Sequence, residues 1–242
     1  MKLKRSFKII IITAGFILIL LIVAGLWMRG EIRKFESNNP LVWKKEIRAF
    51  KKLDKCTNYP DSAVLFVGSS SIRFWNSLSL DMAPVPVIQR GFGGSKIGDV
   101  VYWAPELILS HEVKIIIVFA GTNDITGHPD DASPEEIADK VMKLEKIVHE
   151  HDPGILIYYI SITPTPDRWD VWPKAQHAND IIARIASNAS NFVFLDFTDD
   201  FLTDEGLPNK NYFKIDGLHL NEKGYAVWTR RIKPLLVSRD KR

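Results

Sequence analysis

A serine, an aspartate and a histidine lie in two short motifs far apart in a 242-residue chain, and together they could perform acyl transfer. The serine is Ser70, within Gly68-Ser69-Ser70-Ser71-Ile72. The other two are Asp216 and His219, within Asp216-Gly217-Leu218-His219. A serine hydroxyl is a poor nucleophile until a neighbouring base takes its proton. His219 can be that base if a carboxylate fixes its tautomer and stabilises the imidazolium. Asp216, three residues earlier, can reach it across a single turn of chain. The tetrahedral intermediate also needs donors aimed at its oxyanion. The candidates are the backbone N–H groups of Ser70 and of Gly94, in Gly91-Phe92-Gly93-Gly94-Ser95, and the side-chain amide of Asn123, in Gly121-Thr122-Asn123-Asp124. A glycine at 94 lets the backbone approach a substrate with no Cβ in the way.

These motifs need a frame, and the hydrophobic pattern supplies one. Residues 63–67, 85–90, 114–119, 155–161 and 192–196 each read as a buried strand, 114–119 most clearly, being β-branched and aromatic almost throughout. Helical patterns fall between them. One helix opens at Ser133-Pro134-Glu135-Glu136, where Ser133 caps, Pro134 fits the first turn and Glu136 completes a capping box. Another starts near Pro173, and the last runs from Asn221 to Val237. Strands alternating with helices predict βαβ crossovers and a mostly parallel five-stranded sheet covered on both faces. In such a sheet ligands bind beyond the carboxyl ends of the strands. The Ser70, Gly94 and Asn123 motifs each follow one of the first three strands.

The four blocks, in this order, resemble the SGNH/GDSL hydrolase superfamily, named for its serine, glycine, asparagine and histidine. The family's Gly-Asp-Ser block matches Gly68-Ser69-Ser70, and its spacing from the strand-end glycine selects Ser70 among three consecutive serines. Gly94, Gly121-Thr122-Asn123-Asp124, and Asp216 with His219 match the remaining blocks, over roughly residues 64–236. The resemblance implies a three-layer α/β/α, flavodoxin-like domain, an esterase or lipase-like activity and no metal or other cofactor. One departure is visible: Ser69 stands where the family pattern carries aspartate.

An ester hydrolase using a Ser-His-Asp triad is therefore expected, acting on a small-molecule, carbohydrate or lipid ester, with acetyl the favoured acyl group. Transfer to an acceptor other than water would use the same residues. A membrane-tethered binding module with a vestigial site is the alternative from another class, and the intact five-residue set argues against it. The loop after the fourth strand is aromatic, so Trp169 or Trp172 could line the pocket, and His128, just past the asparagine block, could border it. The other histidines fit surface positions, and no metal-ligand spacing occurs. Cys56 is the single cysteine, which excludes an internal disulfide. A net charge of only +3, with no basic stripe, argues against nucleic acid as a partner.

Residues 9–28 are an apolar run long enough for a bilayer-spanning helix, preceded by Lys2, Lys4, Arg5 and Lys8. The run ends Leu26-Trp27-Met28-Arg29, without a small-x-small cleavage site, which favours an uncleaved single-pass anchor with Trp27 at the interface. The basic flank places the N-terminus in the cytoplasm and the catalytic domain outside it, although Arg29, Arg33 and Lys34 reduce the asymmetry. Three segments result: 1–29, basic flank and anchor; 30–60, a polar linker followed by an amphipathic helix with Trp43, Ile47, Phe50 and Leu53 on one face; and 61–242, the hydrolase domain.

Overall fold

Five strands, β1 (Val64–Gly68), β2 (Val87–Gly91), β3 (Ile115–Phe119), β4 (Leu156–Ile160) and β5 (Phe192–Leu195), form one sheet in the order β2-β1-β3-β4-β5. Each neighbouring pair is parallel. Each strand lies within two residues of its expected bounds. The structure, a computed structural model, describes residues 2–237. Along the N-terminal helix it describes side chains only from residue 10, and not at 14, 27, 28, 30–33, 35 and 36.

The alternation of side chains along each strand builds the layers. Phe66, Ile117, Phe119, Tyr158 and Ile160 join one core with Trp75, Phe201 and Phe213 and with Trp228 and Ile232 of the helix Glu222–Val237. Leu65, Val67, Ile116, Val118, Ile157 and Tyr159 point to the opposite face and are also buried. That face belongs to the helices Ile97–Tyr102, Pro134–His151 and Trp172–Ala186, the second of which packs against both others. The predicted capping box forms at Pro134–His151: Glu136 N–H donates to Ser133 Oγ (3.1 Å), and Ser133 N–H donates to Glu136 Oε2 (2.7 Å).

The chain divides into two compact units, Met1–Val42 and Trp43–Arg242. The amphipathic helix Lys44–Asp54 belongs to the second. Trp43 and Ile47 are buried there, and the Trp43 ring meets Phe92 edge-on with centroids 5.6 Å apart. At its far end Asp54 pairs with Arg90, a β2 residue only 1% exposed, whose guanidinium also donates to the Tyr59 hydroxyl (3.0 Å). A buried cation persists only with such partners. Leu53, expected on the apolar stripe, is exposed.

The first unit differs from expectation in two ways. Its helix runs from Lys2 to Glu36, through most of the segment expected as a linker. No proline stops it before Pro40, and Glu31, Arg33, Lys34 and Glu36 are adequate helix formers. The expected transmembrane helix is the second difference: among the described residues no helix is long and apolar enough to cross a membrane. The side chains of Lys2, Lys4, Arg5, Lys8, Trp27 and Arg33, on which the anchor and its orientation were also argued, lie outside the described residues.

Register sets the strand ends level. Gly68 pairs with Gly91 on β2 and with Phe119 on β3, so the chain leaves all three strands at one height. Gly68 has φ +147°, and a Cβ there would stand 1.9 Å from the Phe119 carbonyl oxygen. Replacing it with alanine must therefore push β1 and β3 apart at the base of the Ser70 turn. Gly68→Ala is expected to cost about 3 kcal/mol or more and to lower Tm by roughly 10 °C, measured by scanning calorimetry.

Candidate active site

Ser70 is the first residue of a short helix, Ser70–Arg73, entered directly from β1 through Ser69 in an extended conformation. Ser69 N–H donates to the Phe119 carbonyl (3.0 Å), which ties the turn to β3. On the other side a Cβ on Gly91 would lie 2.2 Å from the Arg73 amide nitrogen, so the helix sits directly on the end of β2. As the first helical residue, Ser70 has an N–H with no acceptor within its own helix.

His219 reaches this serine from the far end of the chain. Its Nε2 lies 3.0 Å from Ser70 Oγ, and its Nδ1 lies 2.8 Å from Asp216 Oδ2. Ser70, and neither Ser69 nor Ser71, meets the imidazole. The other carboxylate oxygen of Asp216 accepts the backbone N–H groups of Leu218 and His219, both at 2.9 Å. Burial raises the Asp216 pKa, but the hydrogen bonds from the His219 side chain and from the two backbone amides outweigh it and hold the carboxyl below its usual value. The loop is closed tightly: Lys214 N–H donates to the His219 carbonyl (2.8 Å), and Gly217, at φ +65°, donates back to Lys214 (2.9 Å). Phe74 packs edge-on against the His219 ring at 5.1 Å.

Asn123 and Asp124 lie in a short 3-10 turn after β3. Asn123 Nδ2 donates to the Ser95 carbonyl (3.0 Å), and its other N–H stays free of that bond. Asp124 Oδ2 accepts the Ile97 N–H (2.9 Å), so two adjacent residues of this turn hold the segment that follows Gly94. Gly94 itself is buried, at φ +77°, beyond the end of β2. Burial is the largest influence on Asp124 and pushes its carboxyl up to about 6, against the lowering effects of the Ile97 amide, Lys140 and Lys96. Sequence reading assigned Asp124 no separate role, because its burial arises only when the loops after β2 and β3 meet.

A cleft opens between these loops. Ser70, Asn123 and His219 line it, with Thr163, Thr165 and Leu218 among their neighbours. Gly94 is not among the lining residues. The hydroxyls of Thr122 and Thr163 face this region buried and without hydrogen-bond partners. The expected pocket residues lie elsewhere. Trp169 and Trp172 stack on each other, centroids 6.3 Å apart, and do not line the cleft. His128 is largely exposed, its Nδ1 accepting the Asp130 N–H (3.2 Å) in its own loop. Aromaticity drew attention to the tryptophans, but Asn179 clamps the backbone of Ile162 through both N–H and C=O (2.9 Å each), and the adjoining threonines, not the tryptophans, line the cleft. Among the described residues no group of His, Cys, Asp and Glu side chains could hold a metal ion.

Residues 63–227 match the profile of the GDSL-like Lipase/Acylhydrolase family. No curated protein matches the chain in sequence. Among solved structures, a Streptococcus pneumonia protein named for platelet activating factor is similar at 23% identity and TM-score 0.70, over 80% of this chain and 92% of that one. A GDSL-like lipase from Bacteroides thetaiotaomicron is similar at 17% identity and TM-score 0.67, over 79% and 97% of the two chains. A carbohydrate esterase family 3 protein from Talaromyces cellulolyticus is similar at 16% identity and TM-score 0.58, over 74% and 98%. These likenesses establish a shared fold.

The buried Asp124 makes a prediction about stability. Its folded pKa stands above the unfolded value, so between about pH 4 and 6 the folded chain keeps a proton that the unfolded chain has lost, and this group's contribution falls as pH rises. Asp124→Asn cannot ionise and escapes that loss. From pH 4 to pH 7.5 the stability of the variant relative to wild type is expected to improve by on the order of 3 kcal/mol, measured by urea unfolding at both pH values.

Proposed function

The chain belongs to the GDSL-like lipase/acylhydrolase family and is an ester-cleaving hydrolase; from that premise we propose that it works as a serine esterase through an acyl-enzyme, with Ser70, His219 and Asp216 as its catalytic triad. The observation that carries this reading is the continuous relay from Ser70 Oγ through both nitrogens of His219 to Asp216, at 3.0 and 2.8 Å. Both distances are normal hydrogen bonds.

In the proposed reaction His219 Nε2 takes the Ser70 proton as Oγ attacks the ester carbonyl carbon. Asp216, its carboxyl held ionised, keeps the Nδ1 proton in place and stabilises the imidazolium. The carbonyl oxygen becomes an oxyanion, received by the N–H groups of Ser70 and Gly94 and the free amide N–H of Asn123. The tetrahedral centre collapses, the C–O bond to the alcohol breaks, and His219 returns its proton to the departing oxygen. Water, deprotonated by His219, then attacks the acyl-serine; the bond to Ser70 Oγ breaks, His219 returns the proton to Oγ, and the acid leaves. Asn123 arrives at this site pre-oriented, since its other amide hydrogen is committed to Ser95.

A short acyl group, acetyl above all, is the proposed one, in keeping with a narrow cleft. Its free volume is about 10 Å3, room for roughly one water molecule, and Phe119, Leu220 and Trp228 wall it. An acylated carbohydrate is the preferred alcohol; the similarity in fold to a carbohydrate esterase is in keeping with this. A fluorophosphonate probe is expected to label the wild type, and Ser70→Ala to abolish labelling. Persistent label on Ser69 or Ser71 contradicts the assignment. Asn123→Ala is expected to lower kcat by about 10²–10³-fold with little change in KM.

We also propose that the N-terminal helix tethers the hydrolase to a membrane, with its N-terminus cytoplasmic and the catalytic unit outside. Supporting this are the apolar run at residues 9–28 in the sequence and the exposure of its described side chains, Ile10, Phe16, Leu21 and Leu26 among them, at 62, 62, 65 and 63%. Such a contiguous apolar surface marks a membrane or partner site. The full chain is expected to stay in the membrane pellet after alkaline carbonate washing, and residues 43–237 are expected to be digested by protease added outside intact spheroplasts. Release by carbonate, or protection from the protease, counts against the tether or its orientation respectively.

A further inference from the structure

Two cations lie one aromatic ring away from His219, and neither makes an ion pair among the described residues. Arg73 and Lys214 both lie on the ring of Phe74, the guanidinium carbon 5.7 Å and the ammonium nitrogen 5.1 Å from its centroid. Phe74 in turn packs on the His219 ring, so each charge is one aromatic side chain away from the catalytic imidazole. The chain supplies these cations from different directions. Arg73 closes the Ser70 helix and rests on the glycine loop, where a Cβ at Gly93 would stand 2.8 Å from its Nη1. Lys214 enters through the backbone hydrogen bond that joins it to His219.

Some basic side chains of this unit are paired, among them Lys114 with Asp152, Arg90 with Asp54, and Arg230 and Arg231 with Asp200. Arg73, Lys210 and Lys214 have no carboxylate partner among the described residues. A groove of about 520 Å3 adjoins the cleft and shares Phe213 with it, and Lys210, Lys214 and the fully exposed Ile215 line it. That volume suits a sugar or similar small ligand. Its two acidic side chains are already committed, Asp216 to His219 and two backbone amides, and Asp167 to Arg168 at 3.4 Å. With both carboxylates engaged, Lys210 and Lys214 are the groove charges left to meet an anionic ligand, and Arg73 reaches the same Phe74 ring from outside its lining.

We propose that this rim selects the alcohol part of the ester, and that the physiological substrate is an O-acyl ester of an alcohol carrying a carboxylate or phosphate, seated between Arg73 and Lys214. The inference rests on Ser70 being the nucleophile. Cleavage follows the steps given above; the rim holds the anionic alcohol while its oxygen departs. Exposed charges act modestly one at a time and more strongly together, and salt screens them.

The test compares acetyl esters that differ in charge: the acetyl ester of para-hydroxybenzoate, that of para-hydroxyphenyl phosphate, and the neutral methyl para-acetoxybenzoate. For each enzyme the readout is the ratio of kcat/KM for the charged ester to that for the neutral one, which cancels general losses of activity. In Arg73→Gln/Lys214→Gln the ratio is expected to fall about tenfold for at least one of the two anions, and the anion that loses more identifies carboxylate or phosphate as the group held. In the wild type the same ratio is expected to fall as salt rises from about 0.02 to 0.5 M. Lys214→Glu is expected to gain relative activity on para-acetoxyphenyl-trimethylammonium, a result that misfolding cannot imitate. Ratios that ignore both the double substitution and salt, with Ser70-dependent turnover of the neutral ester intact, overturn this proposal alone. Absence of any Ser70-dependent turnover overturns it together with the serine-esterase reading.

Discussion

At the ends of β1 and β2 the chain leaves no room for a methyl group on either of two register partners. A Cβ on Gly68 would meet the Phe119 carbonyl oxygen, and one on Gly91 would meet the backbone of the Ser70 helix. That bare floor allows the chain to turn within one residue from a buried strand into a helix, leaving Ser70 at the top of the turn. The same closeness lets Ser69 N–H bond to β3, so the turn is fixed to two neighbouring strands. A serine placed this way sits beyond the carboxyl edge of the sheet at the switch in strand order, where β1 has β2 on one side and β3 on the other.

Everything else at the site is arranged around that fixed point. The glycine and asparagine loops leave β2 and β3 at the same height and are tied together by Asn123 to Ser95 and Asp124 to Ile97. His219 has no strand beneath it. It is positioned by a short antiparallel bridge, Phe213 to Leu220, by the Lys214 amide and by Phe74. The relay thus joins a rigid sheet edge to a loop held by local hydrogen bonds, and the final helix, Glu222–Val237, anchors that loop to the core through Tyr225 and Trp228. Tyr225 reaches back to donate to the Ser71 carbonyl (2.9 Å), which connects the His219 end of the chain to the Ser70 turn. The cations of the rim come from these same two halves, Arg73 from the serine turn and Lys214 from the histidine loop.

Much of this was legible in the residues. Most strands announced themselves as short apolar runs because a sheet covered on both faces is largely apolar, with Gln89 and Arg90 of β2 the exceptions. The capping box at Ser133 and Glu136 formed as written because capping is a local interaction between neighbours in sequence. The polar motifs at successive strand ends pointed to one another because parallel topology brings all carboxyl ends to one edge. The pocket was not legible in this way. Trp169, Trp172 and His128 stood out by residue type, yet Thr163 and Thr165 line the cleft, because the Asn179 clamp decides how the chain runs after β4.

What the sequence by itself determined is therefore what depends on local pattern: five strands, their alternation with helices, the family, and the residue types competent for acyl transfer. The tertiary structure decided the rest. It brought His219 to 3.0 Å of the Ser70 hydroxyl across 149 positions of sequence. It buried Asp124, leaving one carboxylate oxygen without a hydrogen bond, drew Lys44–Asp54 into the unit that carries the sheet, and gathered Arg73 and Lys214 on one ring. Each of these joins residues far apart along the chain, and the cost or benefit of such a contact is set by burial and distance, which no local pattern encodes.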